Sequence, residues 1–346
     1  MRVLLVDNGL IRRWGDSRYS ANRSLCNGAI RNNYRLYEFS DRDMVRFLSP
    51  VGIRPIGRYL ANRALYKVAV NFRPDALIIG HCENIHEDTL MRIHEVLPRI
   101  RMGHINVDNP QTEHGRKQIL QRMKSCSAFF ETTGGAGALR EFARPGKTVA
   151  WIPNPCDEAI DIYDNGLRTD GFERDVFYAA QMNPQNPRYG LVKAVRERLL
   201  TGPVKAEFLG MFCEPPRFGY AYEELIRTSK MGLNINRWDG QFKWSSSDRI
   251  AHLMGNGLLT FQSDNNQLQY FFSERELVFF KDAGDLCDKV EYYAAHDDER
   301  RAIASAGRAA YHRMFSGKRV LKFMLETLFE EKYSEDYEWT EEIYRG

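Results

Sequence analysis

Short apolar runs alternate along this chain with longer stretches whose apolar positions recur every three or four residues. The segment 2–6 is a largely unbroken hydrophobic run, the pattern of a strand buried on both faces of a parallel sheet. Runs at 75–79, just after Pro74, and at 103–107, leading into Asp108-Asn109-Pro110, have the same character. Two more, 128–131 and 148–152, complete a first set. Helix-period stretches separate them, for example 89–97 and 113–124. Strand–helix alternation of this kind predicts an α/β fold with a parallel sheet.

The rhythm breaks at 153–174, which holds Pro153, Pro155, Gly166 and Gly171 among many Asp and Asn. That composition predicts an interdomain linker over 156–174. A second set of strands follows at 176–179, 206–209, 232–235, 258–261 and 277–280. Helices fit at 189–200, 220–228, 247–254, 284–295 and 297–314. The expected organisation is a first domain at 1–155, the linker, a second domain at 175–317, and a closing amphipathic helix with an acidic tail at 318–346. Two parallel α/β domains are expected to face a cleft, with functional residues in the loops after the strands.

Composition narrows the class. Hydrophobic residues are 43% of the 346 and charged residues 27%, which excludes a disordered chain. No apolar run approaches the roughly 18 residues of a membrane span. The six cysteines stand singly, without a CxxC pair, so neither a disulfide framework nor a structural zinc site is expected, and a cytoplasmic setting is. Charge is uneven. Residues 1–73 hold 14 Lys and Arg against 5 Asp and Glu, whereas residues 330–346 hold 7 acids against 2 bases. The basic half suggests an anionic partner, namely an acidic saccharide, a phospholipid surface or a nucleic acid, unless it is only a solvated face.

An ordered series of segments in the second half carries a resemblance. It runs through 229–236 (Ser-Lys-Met-Gly-Leu-Asn-Ile-Asn), Ser245-Ser246-Ser247-Asp248-Arg249, 257–260 (Gly-Leu-Leu-Thr), 274–278 (Glu-Arg-Glu-Leu-Val) and 300–307 (Arg-Arg-Ala-Ile-Ala-Ser-Ala-Gly). In this series the chain resembles the carboxyl-terminal domain of the CgeB-like glycosyltransferases, a GT-B group. Ile152-Pro153-Asn154 and Asp108-Asn109-Pro110 add to it, and the first half follows only in outline. The resemblance implies two Rossmann-like domains, a nucleotide-sugar donor in the second, an acceptor in the first, no obligatory metal, and a final helix crossing back to the first domain. One position departs. The family has a donor-contacting glutamate three residues after the arginine, and His252 stands there, either replacing its hydrogen bonds or marking a different pocket.

Sugar transfer from a nucleotide breaks a bond to a diphosphate, on which negative charge builds in the transition state. Without a metal, cations and helix amino ends must take that charge. Arg188, Lys230 and Arg249, with the hydroxyls of Ser245, Ser246 and Ser247, are the candidates; Ser247 also fits an ordinary helix cap, and the cations also fit a solvated surface. Gly210, Met211 and Phe212 form a loop suited to a nucleobase or to core packing. Asn234 ends a strand, where it either contacts the donor or caps a turn. A general base on the acceptor side is sought among Asp16 and Asp7, with Asp108 and His81 behind them; a retaining enzyme would not need one. No cofactor is expected, since the nucleotide sugar is a substrate.

Other signals carry less. Asp41-Arg42-Asp43 resembles the metal-binding DxD of the other large glycosyltransferase fold. His81, Cys82 and His86 lack a spacing that places both histidines on one helix face. Gly134-Gly135-Ala136-Gly137 lacks the third glycine of a dinucleotide fingerprint, and could instead offer amides to an anionic acceptor. The leading expectation is a metal-independent glycosyltransferase acting on an anionic cell-envelope glycan, such as lipopolysaccharide, in the cytoplasm or peripherally on the inner face of the membrane. A non-catalytic nucleotide- or sugar-binding protein on the same scaffold is the alternative. An epimerase acting on a free nucleotide sugar is a smaller option. Nucleic acid is not expected, because no aromatic-basic interleaving matches a known reader.

Overall fold

The computed structural model describes residues 1–9, 20–236, 242–245 and 247–346. The chain divides into two compact units, Met1–Pro155 with Gly317–Gly346, and Cys156–Ser316. The first unit begins with β1 (Arg2–Asp7), α1 (Ala21–Arg31), β2 (Arg35–Ser40), α2 (Asp41–Phe47), α3 (Arg54–Phe72) and β3 (Ala76–Ile79). It continues with α4 (Glu87–Val96), β4 (Arg101–Asn106), α5 (Glu113–Gln121), β5 (Ala128–Glu131), α6 (Ala136–Leu139) and β6 (Thr148–Trp151). The second unit has β7 (Arg174–Ala179), α7 (Tyr189–Thr201), β8 (Ala206–Leu209), α8 (Tyr220–Arg227) and β9 (Ser229–Asn234). After these come α9 (Arg249–Gly255), β10 (Leu259–Ser263), β11 (Val278–Phe280), α10 (Ala283–Ala295) and α11 (Asp297–Phe315). The chain then re-enters the first unit with α12 (Gly317–Phe329) and β12 (Ile343–Arg345).

Among the described residues each unit has one sheet. The first runs β12-β6-β5-β4-β3-β1-β2, parallel except that β12 is antiparallel to β6. The second runs β11-β10-β9-β7-β8 and is parallel throughout. Both are Rossmann-like, with α-helices between successive strands except β10 and β11, which short 3-10 turns connect. All four residues of β3, β5 and β6 are buried, which is why those strands read as continuous apolar runs. Strand β2 escapes that signature. Its sequence, Arg-Leu-Tyr-Glu-Phe-Ser, alternates exposed and half-buried positions before the buried Phe39-Ser40, as an edge strand does. In each sheet the strand order reverses once, at β1 and β3 and at β7 and β9. Ligands of open parallel sheets bind outside the carboxyl ends of such strand pairs.

The segment expected to be a linker belongs to the second unit instead. Asn165 donates from Nδ2 to the carbonyls of Ile226 (2.7 Å) and Ser229 (2.9 Å), and the backbone N–H of Tyr163 donates to Oδ1 of Asn256 (3.0 Å). The Asp and Asn side chains that make this stretch look loop-like satisfy backbone groups left open where α8 ends and β9 begins. The acidic tail is likewise built in. Arg319 reaches Glu335 and Glu338, each at 2.9 Å, and Trp339 is fully buried with its ring 6.4 Å from that of Trp151.

Helix α12 packs on α1 at a glycine crossing. A Cβ on Gly28 would lie 2.2 Å from the carbonyl oxygen of Gly317, and one on Gly317 2.1 Å from that of Ser24. Asn32 closes the contact, donating from Nδ2 to the Lys318 carbonyl at 2.8 Å. Replacing Gly28 with Ala is expected to cost the first unit roughly 1–3 kcal/mol by overpacking. Gly137→Ala, where nothing lies within 4 Å, serves as the control with no loss. Urea unfolding of the two variants checks this, and equal midpoints would remove the crossing as a constraint.

Candidate functional site

In the second unit the site is built where β7 and β9 end. Arg249 opens α9 and turns its guanidinium back across both strands. Nε donates to the Ala179 carbonyl at 3.1 Å and Nη1 to Oδ1 of Asn234 at 3.1 Å. Its Cζ lies 4.8 Å from the centroid of the Tyr178 ring. Arg188, in the turn before α7, donates from Nη1 to the Ile235 carbonyl at 3.1 Å, with its Cζ 5.8 Å from the same ring. The Tyr178 hydroxyl donates to that carbonyl too, at 3.3 Å. Both arginines are 8% exposed. No carboxylate among the described residues pairs with Arg249, and its Nη2 makes no hydrogen bond to any of them. A buried guanidinium whose partners are only carbonyl oxygens and an aromatic face keeps most of its charge uncompensated.

Asn234 is the hub beside it. Nδ2 donates to Oε1 of Gln262 at 2.6 Å, and Oδ1 accepts from the Ser247 hydroxyl at 2.9 Å as well as from Arg249. Ser247 therefore braces Asn234, and α9, seven residues long, has no side-chain cap from Asp248. Ser245 is buried, and its carbonyl accepts from Nδ2 of Asn266 at 2.6 Å. Ser246 lies outside the described residues.

A cavity of about 610 Å³ opens next to Arg188, lined also by Gln181, Met182, Asn183, Asn186 and Gly210. Gly210 has φ +81°, and a Cβ there would lie 2.6 Å from the Ala180 carbonyl oxygen. Its carbonyl accepts from Met182 N–H at 3.1 Å, which ties the loop after β8 to the loop after β7. Met211 is part of the hydrophobic core, and Phe212 rests on Tyr189 with ring centroids 5.1 Å apart. Of that loop, Gly210 lines the cavity, while Met211 and Phe212 pack inward.

Two expected donor residues stand elsewhere. Lys230 is at the amino end of β9, in an ion pair with Asp175 at 2.9 Å. Four residues at about 3.3 Å each separate it from Asn234 by roughly 13 Å, on the opposite edge of the sheet. The serine-lysine pair forms the first two residues of β9, at the end opposite the carboxyl edge where ligands of such sheets bind. His252 faces inward from α9, with Nδ1 3.1 Å from Oδ1 of Asp161. Asp161 also accepts from Nδ2 of Asn256 at 3.1 Å and from the N–H of Asp157 at 2.9 Å. Burial opposes the imidazolium, but the hydrogen bond and charge of Asp161 outweigh it, so the pKa is raised. His252 thus locks the 156–165 segment onto α9.

In the first unit, Asp7 ends β1 at the other reversal of strand order. Its Oδ1 accepts from the N–H of Asn8 at 2.6 Å and of His81, just past β3, at 3.1 Å. The residue is half-buried, but its carboxyl is packed in closely. Burial raises its pKa to about 6; the Asn8 bond opposes this and the charge of Asp41 adds to it. Asp108, after β4, lies 3.7 Å from Nδ1 of His81 and 3.3 Å from Nε2 of His114. Asp7, His81 and Asp108 thus share the carboxyl edge of one sheet. Asp16 lies outside the described residues. Asp41 accepts from Nδ2 of Asn84 at 2.9 Å and Asp43 from the Ser40 hydroxyl, so both carboxylates of the DxD are bound locally. The amide of Gly135 donates to Oε2 of Glu342 at 2.7 Å, which occupies the glycine loop with the chain's own tail. No cluster able to hold a metal ion exists among the described residues, and no helix there is long and apolar enough to cross a membrane.

Sequence reading missed Tyr178, Gln262 and Asp161. Tyr178 alone had a signal, as a polar-tipped aromatic near the end of a buried strand. The His252 assignment can be checked by stability. His252→Ala leaves the Asp161 carboxylate buried without its cation, an expected loss of roughly 3–5 kcal/mol at low pH. Because the folded pKa is raised, the charged pair stabilises fully below the ordinary histidine value and fades as pH rises through the folded one. The deficit should therefore narrow in alkaline buffer, and urea unfolding at both pH values reads it.

Residues 190–326 match the family model described as glycosyl transferase-like. No curated protein sequence matches the chain significantly. Among solved structures, HepE of Anabaena in complex with UDP-glucose is similar at 12% identity and a TM-score of 0.57, covering 95% of this chain and 100% of that one. Sucrose-phosphate synthase of Thermosynechococcus elongatus is similar at 11% identity and 0.58, covering 95% and 98%. A UDP-N-acetylglucosamine 2-epimerase of Listeria monocytogenes, so described provisionally, is similar at 13% and 0.53, covering 97% and 99%. The chain has the fold of the GT-B glycosyltransferases, two Rossmann-like α/β domains, and its segment 190–326 is glycosyl transferase-like in sequence.

Proposed function

We propose that this protein is a glycosyltransferase that moves a sugar from a nucleotide-sugar donor to a saccharide acceptor, with guanidinium groups in place of a metal at the leaving diphosphate. The observation that carries this is Arg249: a cation 8% exposed, at the carboxyl ends of β7 and β9, lacking a carboxylate partner among the described residues. Such a charge is costly to bury alone, and a diphosphate would complete it. Arg188 stands over the same tyrosine ring at the mouth of a polar cavity, where the nucleotide would follow. The fold neighbours include a protein held with UDP-glucose, so UDP is the first nucleotide to try.

In this reading the acceptor belongs to the first unit, and Asp7 is the general base. A carboxyl with pKa about 6 accepts a proton near neutrality better than an ordinary aspartate. The excess of base over acid in residues 1–73 favours an anionic acceptor, and a cell-envelope glycan has that chemistry.

Arg249→Ala should weaken UDP binding by about 2–5 kcal/mol in calorimetric titration, and Arg249→Lys should restore only part of it. Unchanged affinity in both variants would remove the donor site from this edge. With donor and acceptor supplied, kcat/KM should rise with pH through about 6, as Asp7 loses its proton, and then level off. Asp7→Asn should lower kcat roughly 10²–10⁴-fold with donor affinity unchanged. A rate indifferent to pH across that range would exclude Asp7 as the base.

A further inference from the structure

Most surface apolar side chains of the first unit are scattered, but five fall within the short stretch 47–59. Phe47 ends α2, Val51 and Ile53 lie in the connecting turn, and Ile56 and Tyr59 lie on the first turns of α3. Their exposures are 67, 96, 45, 42 and 60%. Val51 sits at the tip of this turn with φ 45° and ψ 31°, a left-handed conformation that a β-branched residue rarely adopts. The turn is held from within. The Gly52 N–H donates to the Ser49 carbonyl, the Ile53 N–H to that of Pro50, and the Ser49 hydroxyl to that of Val45. A fixed turn therefore holds an isopropyl group in water.

Cations are interspersed with these positions along the chain. Residues 44–73 contain Arg46, Arg54, Arg58, Arg63, Lys67 and Arg73 and not one Asp or Glu. Arg54, Arg58 and Lys67 have no carboxylate partner among the described residues. Three bases, Arg63, Lys67 and Arg92, against one acid, Asp88, line a groove of about 560 Å³ between α3 and α4, together with Tyr59 and Tyr66.

We propose that the α2–α3 corner docks on an anionic phospholipid bilayer, with Phe47, Val51, Ile53 and Ile56 among the acyl chains and Arg46, Arg54 and Arg58 at the level of the phosphates. Charge complementarity selects this occupant. Exposed apolar side chains interspersed with cations match the layered order of an anionic bilayer surface. A second copy would set six bases against six bases. A nucleic acid would match the charge but leave the aliphatic tip unused. The inference is independent of the donor chemistry, because membrane binding is read without turnover.

Sedimentation with vesicles of phosphatidylglycerol and phosphatidylcholine, and of phosphatidylcholine alone, tests it. Binding is expected only to the anionic vesicles, and it should fall on raising salt. The double variants Val51→Glu/Phe47→Glu and Arg54→Glu/Arg58→Glu should each weaken it about tenfold or more, since both the inserted area and the basic side chains contribute. All four positions are exposed, so thermal unfolding and UDP titration should match the parent protein and separate this result from a failure of the donor site. Equal binding to both vesicle types, binding unaltered in either variant, or a dimer by light scattering that Val51→Glu dissolves would each overturn the proposal.

Discussion

A guanidinium buried over an aromatic ring, bonded to carbonyl and amide oxygens and not to a carboxylate, sets the terms for the second unit. Arg249 can hold that position only because β7 and β9 end side by side and present Ala179, Asn234 and Ile235 to it. The supporting side chains serve the same end. Asn234 takes hydrogen bonds from Ser247 and Arg249 and passes one to Gln262, so the rim of the sheet is cross-braced. Gly210 lets the next loop come close enough to the Ala180 carbonyl to shape the adjoining cavity. Each of these is a consequence of the point where strand order reverses, which leaves room at the carboxyl edge.

The first unit uses the corresponding place differently. At β1 and β3 the groups that meet are a carboxylate and backbone amides, Asp7 with Asn8 and His81. Burial pushes this carboxyl toward neutrality, whereas the second unit accumulates fixed positive charge. One sheet edge is thus suited to moving a proton and the other to holding an anion. Under the function proposed above, the first edge would take the proton of the acceptor hydroxyl and the second would hold the leaving phosphate.

Two segments that look like connectors are structural. The Asp- and Asn-rich stretch after Pro155 supplies Asp161 to His252 and Asn165 to the backbone between α8 and β9. The acidic tail supplies Glu335 and Glu338 to Arg319, Glu342 to the glycine loop, and an antiparallel edge strand to the first sheet. Polar composition marked both as irregular backbone, which they are. What composition does not reveal is that short polar side chains in irregular backbone are well placed to satisfy buried polar groups nearby.

The alternation of apolar runs with helical periods was enough to establish two parallel α/β sets, because strands buried on both faces must be apolar at every position. It was enough for most strands and helices to within a few residues, and for the positions of Asn234 at the end of a strand and of Arg188 and Arg249 at the start of helices. It could not show β2 or β12, whose edge positions leave alternating or polar sequences. Nor could it tell Lys230 from Arg249, or His252 from a ligand contact. Both distinctions turn on direction, namely which end of β9 a residue occupies and which face of α9 it shares with Asp161. Residue type and spacing follow from the chain alone, but the end of a strand and the inner face of a helix exist only once distant segments pack, and that packing put one cation at the site and the other at the far edge.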